Sequence, residues 1–202
     1  LIKQAKILSG KYDIVVTNPP YINYSSVPNI IKKYVLKYYS DSKEDLCSVF
    51  MEINLVKENG LLAMVNQQSW MFLNSFERLR EKLVYNKTII NMIHIGTHAF
   101  DGVIGAVTTA FVLSSKSSRN QEGIYLRLTD FDNEQEKEMA VISQKSEYIF
   151  RASNEKFIKT PNHKISYWIS EKLLNNFEAK KVADYAETKK GIMTGNNTKF
   201  VR

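Results

Sequence analysis

Two kinds of apolar pattern alternate along the chain. Residues 14–16, 61–65 and 89–95 are short, mainly apolar runs, which predict strands of a mostly parallel sheet. Between them, apolar residues recur at helical spacing. These helical positions are Ile30, Ile31, Tyr34, Val35 and Tyr38; then Leu46, Val49, Phe50, Ile53 and Val56, ending at Gly60; then Phe76, Leu79, Leu83 and Val84. Strands that alternate with helices predict a doubly wound α/β sheet.

The pattern changes near Phe100. The run "GAVTTAFVLSS" is rich in β-formers, and the connection before it contains Gly102 and Gly105 but no helical periodicity. We therefore predict an antiparallel pair at the sheet edge. The segment "IYLRLTDF" predicts one more strand, and the acidic stretch "DFDNEQEKE" predicts an exposed connection. Apolar residues at four-residue spacing predict a last helix at Ile165, Ile169, Leu173 and Phe177.

The first strand ends in an unusual way, in the sequence "DIVVTNPPYI". Two prolines cannot continue a strand, because neither has a backbone donor, and proline also restricts the residue before it. Residues 18–21 therefore predict a stiff loop at the carboxyl end of a parallel strand, which is where open α/β sheets bind ligands.

The residues of this loop suit one kind of chemistry. The exocyclic amine of adenine is a poor nucleophile, because its lone pair is delocalised into the ring. Asn18 offers a side-chain oxygen and Pro19 a rigidly held carbonyl, and two acceptors aimed at the amine hydrogens would localise that lone pair. Tyr21 offers a flat face on which a flipped-out base can stack.

Composition narrows the classes of protein further. The chain has 202 residues, is 44% hydrophobic and has a single cysteine, Cys47, which excludes an internal disulfide framework. No apolar run is long enough to span a membrane and no signal peptide is evident, so we expect a cytoplasmic protein without a membrane partner. The residues show no metal-ligand spacing. Of the net charge of +7, about +6 lies in residues 151–202, which favours a polyanionic partner.

The proline motif and its surroundings resemble a known family. The sequences "NPPY", "MVNQQSWMFLNSFERLREKLV" and "HIGTHAFDGVIGAVTTAFVLSSK" are similar to PglX-type adenine-specific DNA methyltransferases of bacteriophage exclusion (BREX) systems, relatives of the Eco57I-like type IIG enzymes. The resemblance covers most of residues 10–115 and resumes at "GIMTGNNTKF", which looks like the start of a target recognition region. It implies S-adenosylmethionine as methyl donor and double-stranded DNA as partner.

The resemblance also implies roles for particular residues. Asn18 and Pro19 would bind the target amine, Pro20 would hold the loop rigid, and Tyr21 would stack on the adenine. A second aromatic ring would contact the flipped base; Phe111 fits that position best, Phe100 competes with it, and either residue can instead belong to the core. The DNA-contact candidates in the recognition region are Lys189, Lys190, Thr194, Asn196, Asn197 and Lys199.

The chain departs from the family in one respect. The donor-binding Gly-rich turn lies upstream of the proline motif in this family, and no Gly-x-Gly sequence occurs in these residues. We therefore expect the C-terminal half of a Rossmann-like methyltransferase sheet with an antiparallel edge pair, followed by the start of a target recognition region. The missing N-terminal half would leave the chain inactive alone and prone to self-association. The predicted boundary separates a partial catalytic domain, residues 1–150, from a basic linker helix and recognition region, residues 151–202.

Two other functions stay open from the sequence. Protein-glutamine methyltransferases share "NPPYI" and methylate a side-chain amide by similar chemistry, but they generally end soon after their sheet. A non-catalytic DNA-binding fragment is the third alternative.

Overall fold

A single mixed sheet forms the centre of the molecule. The computed structural model describes residues 2–53, 55–99, 107–180 and 182–187. The six strands are β1 (Tyr12–Thr17), β2 (Val56–Gln67), β3 (Thr88–Gly96), β4 (Thr108–Ser114), β5 (Glu122–Arg127) and β6 (Ile149–Ser153). The helices are α1 (Ile2–Ser9), α2 (Asn29–Tyr38), α3 (Leu46–Glu52), α4 (Ser69–Phe72), α5 (Glu77–Asn86), α6 (Glu134–Ser143), α7 (Asn154–Ile158) and α8 (Glu171–Asn176).

The strands lie in the order β1-β2-β4-β3-β5-β6. β1 pairs parallel to β2, and β3 parallel to β5, whereas β4 is antiparallel to both of its neighbours. The predicted antiparallel pairing of β3 with β4 is confirmed. The pair lies inside the sheet rather than at its edge, because β5 and β6 extend the sheet beyond β3. The boundary predicted at residue 150 falls within β6, whose pairing with β5 continues the sheet across it.

The main core lies on one face of the sheet. Leu62 and Met64 of β2, Met92 of β3 and Phe111 of β4 point into it. The buried side of α5, with Leu79, Leu83 and Val84, contributes to the same cluster. Successive side chains of a strand point to opposite faces of the sheet, so every second residue of these strands points into the core.

The opposite face is more open. Ile14 and Val16 of β1 are 63% and 75% exposed, and Ile93 and Ile124 lie on the same face and are also exposed. A doubly wound arrangement would cover both faces, and in the described residues these apolar side chains are not covered. Residues 14–16 belong to β1, the strand at one end of the strand order, which pairs with β2 among the described strands.

Three of the predicted elements need correction. The third helix ends at Glu52, and Val56 and Gly60 belong to β2 instead. Gly60 is required there by close packing, because a Cβ atom at this residue would lie 2.6 Å from the Asp13 carbonyl oxygen of β1. The acidic segment begins as a loop but continues into α6, which Asn133 caps by accepting a hydrogen bond from the Glu136 amide. The last helix starts only at Glu171, after the Ser170 cap, and Ile165 is a core residue outside it.

Within the described ranges, no helix combines the length and the apolarity that crossing a membrane requires.

Candidate active site

The carboxyl ends of three parallel strands meet at one edge of the sheet. β1 ends at Thr17 before the proline loop, residues 18–21. β2 ends at Gln67, next to Gln68 and Ser69, and β3 ends at Gly96. The predicted loop at the end of the first strand is therefore confirmed, and it lies beside the polar sequence "NQQS" at the end of β2.

The proline loop is anchored on its downstream side. The Leu46 amide donates to the Ile22 carbonyl oxygen at 2.9 Å, and the Tyr24 amide donates to the Glu44 carbonyl oxygen at 2.9 Å. Between these two contacts, the Asp45 carboxylate caps α3 by accepting from the Ser48 amide at 2.7 Å. These hydrogen bonds tie the loop to the start of α3, so its position does not depend on the prolines alone.

The two acceptors predicted for the target amine are available. Asn18 is exposed, and in the part of the chain that the structure describes its side chain takes no hydrogen bond. Within the same residues the Pro19 carbonyl oxygen accepts no backbone hydrogen bond, whereas the Pro20 carbonyl accepts one from Ile22 at 3.1 Å. Because Pro19 itself is buried, its carbonyl is held in a packed loop. Both oxygens are therefore free to bind a ligand donor.

Tyr21 lies half-buried at the end of the loop. Its hydroxyl oxygen is buried without a hydrogen-bond partner among the described residues. Burial raises the pKa of Tyr21 to about 12, and the neighbouring Cys47 acts in the same direction. The phenol therefore stays neutral at physiological pH.

A polar cavity of about 370 Å³ opens beside Tyr21. Asp45, Gln67 and Ser69 contribute polar groups to its lining. The Ser69 hydroxyl, like that of Tyr21, has no hydrogen-bond partner in the described residues. Sequence reasoning assigned no role to these three residues. The polar sequence at the end of β2, the parallel neighbour of β1, points to Gln67 and Ser69, whereas Asp45 lies at the start of α3.

A second cavity, of about 280 Å³, shares Gln67 and Ser69 with the first and also contacts Gln68. The Gln68 side-chain oxygen is hydrogen-bonded to Nε2 of His94, and Nδ1 of His94 contacts the Tyr167 hydroxyl at 3.0 Å. Burial, assisted by the nearby Arg127, lowers the pKa of His94 to about 4. The imidazole is therefore neutral; it donates from Nε2 to Gln68 and accepts from Tyr167 at Nδ1.

This buried histidine predicts a pH-dependent stability. An unfolded histidine binds a proton near pH 6.5, whereas His94 in the folded chain does so only near pH 4. Between these values the unfolded state binds more protons, so the free energy of unfolding should fall as the pH is lowered from about 6.5 towards 4. The expected loss is on the order of 3 kcal/mol. Urea unfolding of the wild type and of His94→Gln at several pH values measures it.

The quantity to compare is the slope of the free energy of unfolding against pH. The absolute stabilities are not comparable, because His94→Gln also changes the packing. The glutamine side chain can donate and accept but does not titrate, so the variant should show the flatter slope between pH 6.5 and 5. Equal slopes in both proteins would show that His94 is not the titrating group.

The other predicted site residues fall in two groups. Phe111 is 3% exposed and packs edge-on against Trp70, with ring centroids 5.3 Å apart. That packing favours the core alternative for Phe111. Phe100 and the DNA-contact candidates, Lys189, Lys190, Thr194, Asn196, Asn197 and Lys199, lie outside the described residues.

Comparisons with known proteins identify the family of the chain and its fold. The family model of the Eco57I restriction-modification methylase matches residues 2–100. The fold is also found in the crystal structure of a type I restriction-modification system methyltransferase subunit from Streptococcus thermophilus. That match has a TM-score of 0.52 and 16% identity, and covers 79% of this chain and 38% of the other. The structural comparison shows a methyltransferase fold and, at this identity, nothing beyond the fold.

Two curated relatives are much closer in sequence. The chain is 41% identical to adenine-specific methyltransferase PglX of Lacticaseibacillus casei (strain Zhang), over 100% of this chain and 18% of the relative. It is also 41% identical to adenine-specific methyltransferase BrxX of Escherichia coli O9:H4 (strain HS), over 87% of this chain and 15% of the relative. The chain therefore belongs to the family of PglX-type and Eco57I-like methylases, as its motifs predicted. It spans less than a fifth of the length of either curated relative.

Proposed function

We propose that this chain forms the target-base side of a DNA adenine-N6 methyltransferase that acts in phage defence or restriction-modification. The observation that carries the proposal is the proline loop, in which the Asn18 oxygen and the Pro19 carbonyl have no protein partner among the described residues. The loop lies at the carboxyl edge of the sheet, next to a polar cavity. The names of the two curated relatives support adenine as the substrate and do not support the glutamine alternative.

In this proposal each residue of the loop has a separate task. The adenine N6 amine donates one hydrogen to Asn18 and the other to the Pro19 carbonyl, which localises the nitrogen lone pair. Tyr21 stacks on the extruded base and compensates for part of the lost base stacking. Double-stranded DNA is the substrate, and we infer that the protein acts in the cytoplasm, where that DNA is accessible.

We infer that the methyl donor is S-adenosylmethionine, which supplies an electrophilic methyl group. These residues do not fit a donor cradle. The chain has no Gly-x-Gly turn, and the space beside Gly10, just before β1, is filled by the Tyr12 hydroxyl, which donates to the Ile7 carbonyl at 2.6 Å. Donor binding is therefore expected to need a further segment of protein, and the isolated 202 residues should bind S-adenosylmethionine negligibly.

Sequencing for N6-methyladenine tests the proposal directly. DNA from cells that express the complete polypeptide carrying these residues should contain N6-methyladenine at a fixed site, and DNA from cells without it should not. Methylated glutamine in a protein, with unmodified DNA, would instead establish the glutamine alternative.

Substitutions at Tyr21 test the stacking role. Tyr21→Ala should weaken capture of the flipped base by about 1–3 kcal/mol, because stacking on an aromatic ring is lost. Tyr21→Phe and Tyr21→Trp should keep much of the activity, since either ring still stacks. The phenylalanine variant should also be at least as stable as the wild type, because it removes a buried hydroxyl without a partner.

Binding to a duplex with a mismatched target base and kcat/KM for methylation provide the two measurements for the Tyr21 series. If the phenylalanine variant lost as much activity as the alanine variant, the hydroxyl would be the working group and the stacking role would be wrong.

A further inference from the structure

Helix α2 is an unusually exposed element. Its apolar residues recur at helical spacing, but the structure buries only Val35 among them. Ile30 is 79% exposed, and Tyr34 and Tyr38 are each 56% exposed. Most of the apolar side chains of α2 are therefore not packed into the core and face outward instead.

The charge of α2 has one sign. The helix carries Lys32, Lys33 and Lys37 and has no acidic residue. Lys32 donates from Nζ to the Ser25 carbonyl at 2.7 Å, which ties the helix to the turn that follows the proline loop. Lys33 and Lys37 are exposed, and the Lys37 ammonium lies 5.0 Å from the centre of the Tyr38 ring. Two cations on one exposed helix, with no nearby acid on that helix, favour a polyanionic partner.

The tyrosines of this helix form a group rather than scattered rings. The centroids of Tyr34 and Tyr38 are 4.9 Å apart, and Tyr39 lies 6.0 Å from Tyr34. Tyrosine hydroxyls donate hydrogen bonds to phosphate oxygens, and lysines neutralise phosphate charge. The surface therefore combines the two kinds of group that contact a nucleic acid backbone.

The helix also lies close to the site in sequence and in structure. It begins eight residues after Tyr21. The segment between them is fixed at both ends: the Ile22 and Tyr24 backbones bond to residues 44–46, and Lys32 holds the turn at Ser25. A duplex whose target adenine enters the proline loop would place neighbouring phosphates within reach of a helix attached to the same loop.

We propose that α2 is a DNA-docking surface, with Lys33 and Lys37 bound to the phosphates that flank the flipped adenine. The proposal rests on the function proposed above. A second copy of the chain is disfavoured as the occupant, because the chain carries a net charge of +7 and α2 adds like charges to such an interface.

The test is a measurement of DNA affinity as a function of salt. A fluorescent duplex is titrated with the complete polypeptide, without methyl donor, at several salt concentrations. Lys33→Gln/Lys37→Gln should weaken binding about tenfold or more and reduce the slope of log affinity against log salt by about two, one unit for each lost phosphate contact. Lys6→Gln/Lys116→Gln is the matched control, since it removes two exposed lysines at the opposite edge of the sheet, before β1 and after the antiparallel β4, and should leave slope and affinity near the wild type.

A second variant separates DNA from a protein occupant. Ile30→Ser/Leu36→Ser removes two exposed apolar side chains but no charge and should leave the salt slope unchanged. The proposal is overturned if the lysine pair binds like its control. It is likewise overturned if only the serine pair has an effect and converts an oligomer to a monomer, because α2 would then be a contact between copies.

DNA affinity and adenine methylation, measured separately, distinguish the docking role of α2 from the proposed methyltransferase activity. If the lysine pair weakens DNA binding in a protein that proves unable to methylate adenine, the docking surface stands and the enzymatic assignment fails. If adenine is methylated and the lysine pair has no effect on affinity or on KM for DNA, the enzymatic assignment stands and α2 is not the docking surface.

Discussion

Asn18→Ala in the complete polypeptide is expected to reduce adenine methylation by at least about a hundredfold while leaving DNA binding largely intact. The physical reason is that the Asn18 oxygen gains its strongest contact as the amine nitrogen becomes tetrahedral and its hydrogens become more acidic. Removing one preorganised acceptor of this kind costs on the order of 10²–10³ in kcat in enzymes where it has been measured. Because Asn18 is exposed and bonded to no other described residue, its loss should not destabilise the fold.

Two further variants sharpen this test. Asn18→Asp keeps an acceptor oxygen at the same position and should retain more activity than the alanine variant. Asn86→Ala, at the exposed end of α5, removes an amide away from the proline loop and should behave as the wild type. Single-turnover methylation and duplex binding are the measurements. Near wild-type methylation by Asn18→Ala would show that this side chain does not bind the target amine.

Local chemistry explains why part of the site could be predicted. A β-branched run followed by two prolines specifies a strand that must end, and the structure ends β1 at Thr17. The parallel pairing of β1 with β2 follows from the strand–helix–strand order, and it brings the loop next to the residues after β2. Asn18 and Tyr21 were predicted because their chemistry is readable from residue type and spacing alone.

Long-range contacts explain what could not be predicted. The contact of His94 with Tyr167 joins residues 73 positions apart, and no local pattern marks either of them as a partner. The position of β4 between β2 and β3 has the same origin: periodicity showed the antiparallel pair, but only the later pairing of β5 with β3 places that pair inside the sheet. Helix α2 shows a further limit of local patterns. Helical spacing of apolar residues indicates that a helix has an apolar side, but it does not show whether another element covers that side.

The exposed apolar side chains of β1 predict that the isolated 202 residues associate with one another. In the part of the chain that the structure describes, β1 pairs with β2 alone, and Ile14 and Val16 are exposed on the open face of the sheet. Edge strands with exposed apolar side chains tend to pair with another chain. Sedimentation at micromolar concentrations should therefore show dimers or larger species of the isolated chain.

Charged substitutions on this strand should abolish the association. Ile14→Lys/Val16→Lys removes two apolar side chains from the contact, each worth about 1.5–3 kcal/mol when fully buried, so association should weaken by at least about a hundredfold. Met139→Lys/Ile142→Lys is the matched control, because it adds two lysines at exposed apolar positions of α6, which lies outside the sheet. The control should associate as the wild type does. A wild-type chain that sediments as a monomer at these concentrations would show that the open edge of β1 does not drive contact between chains.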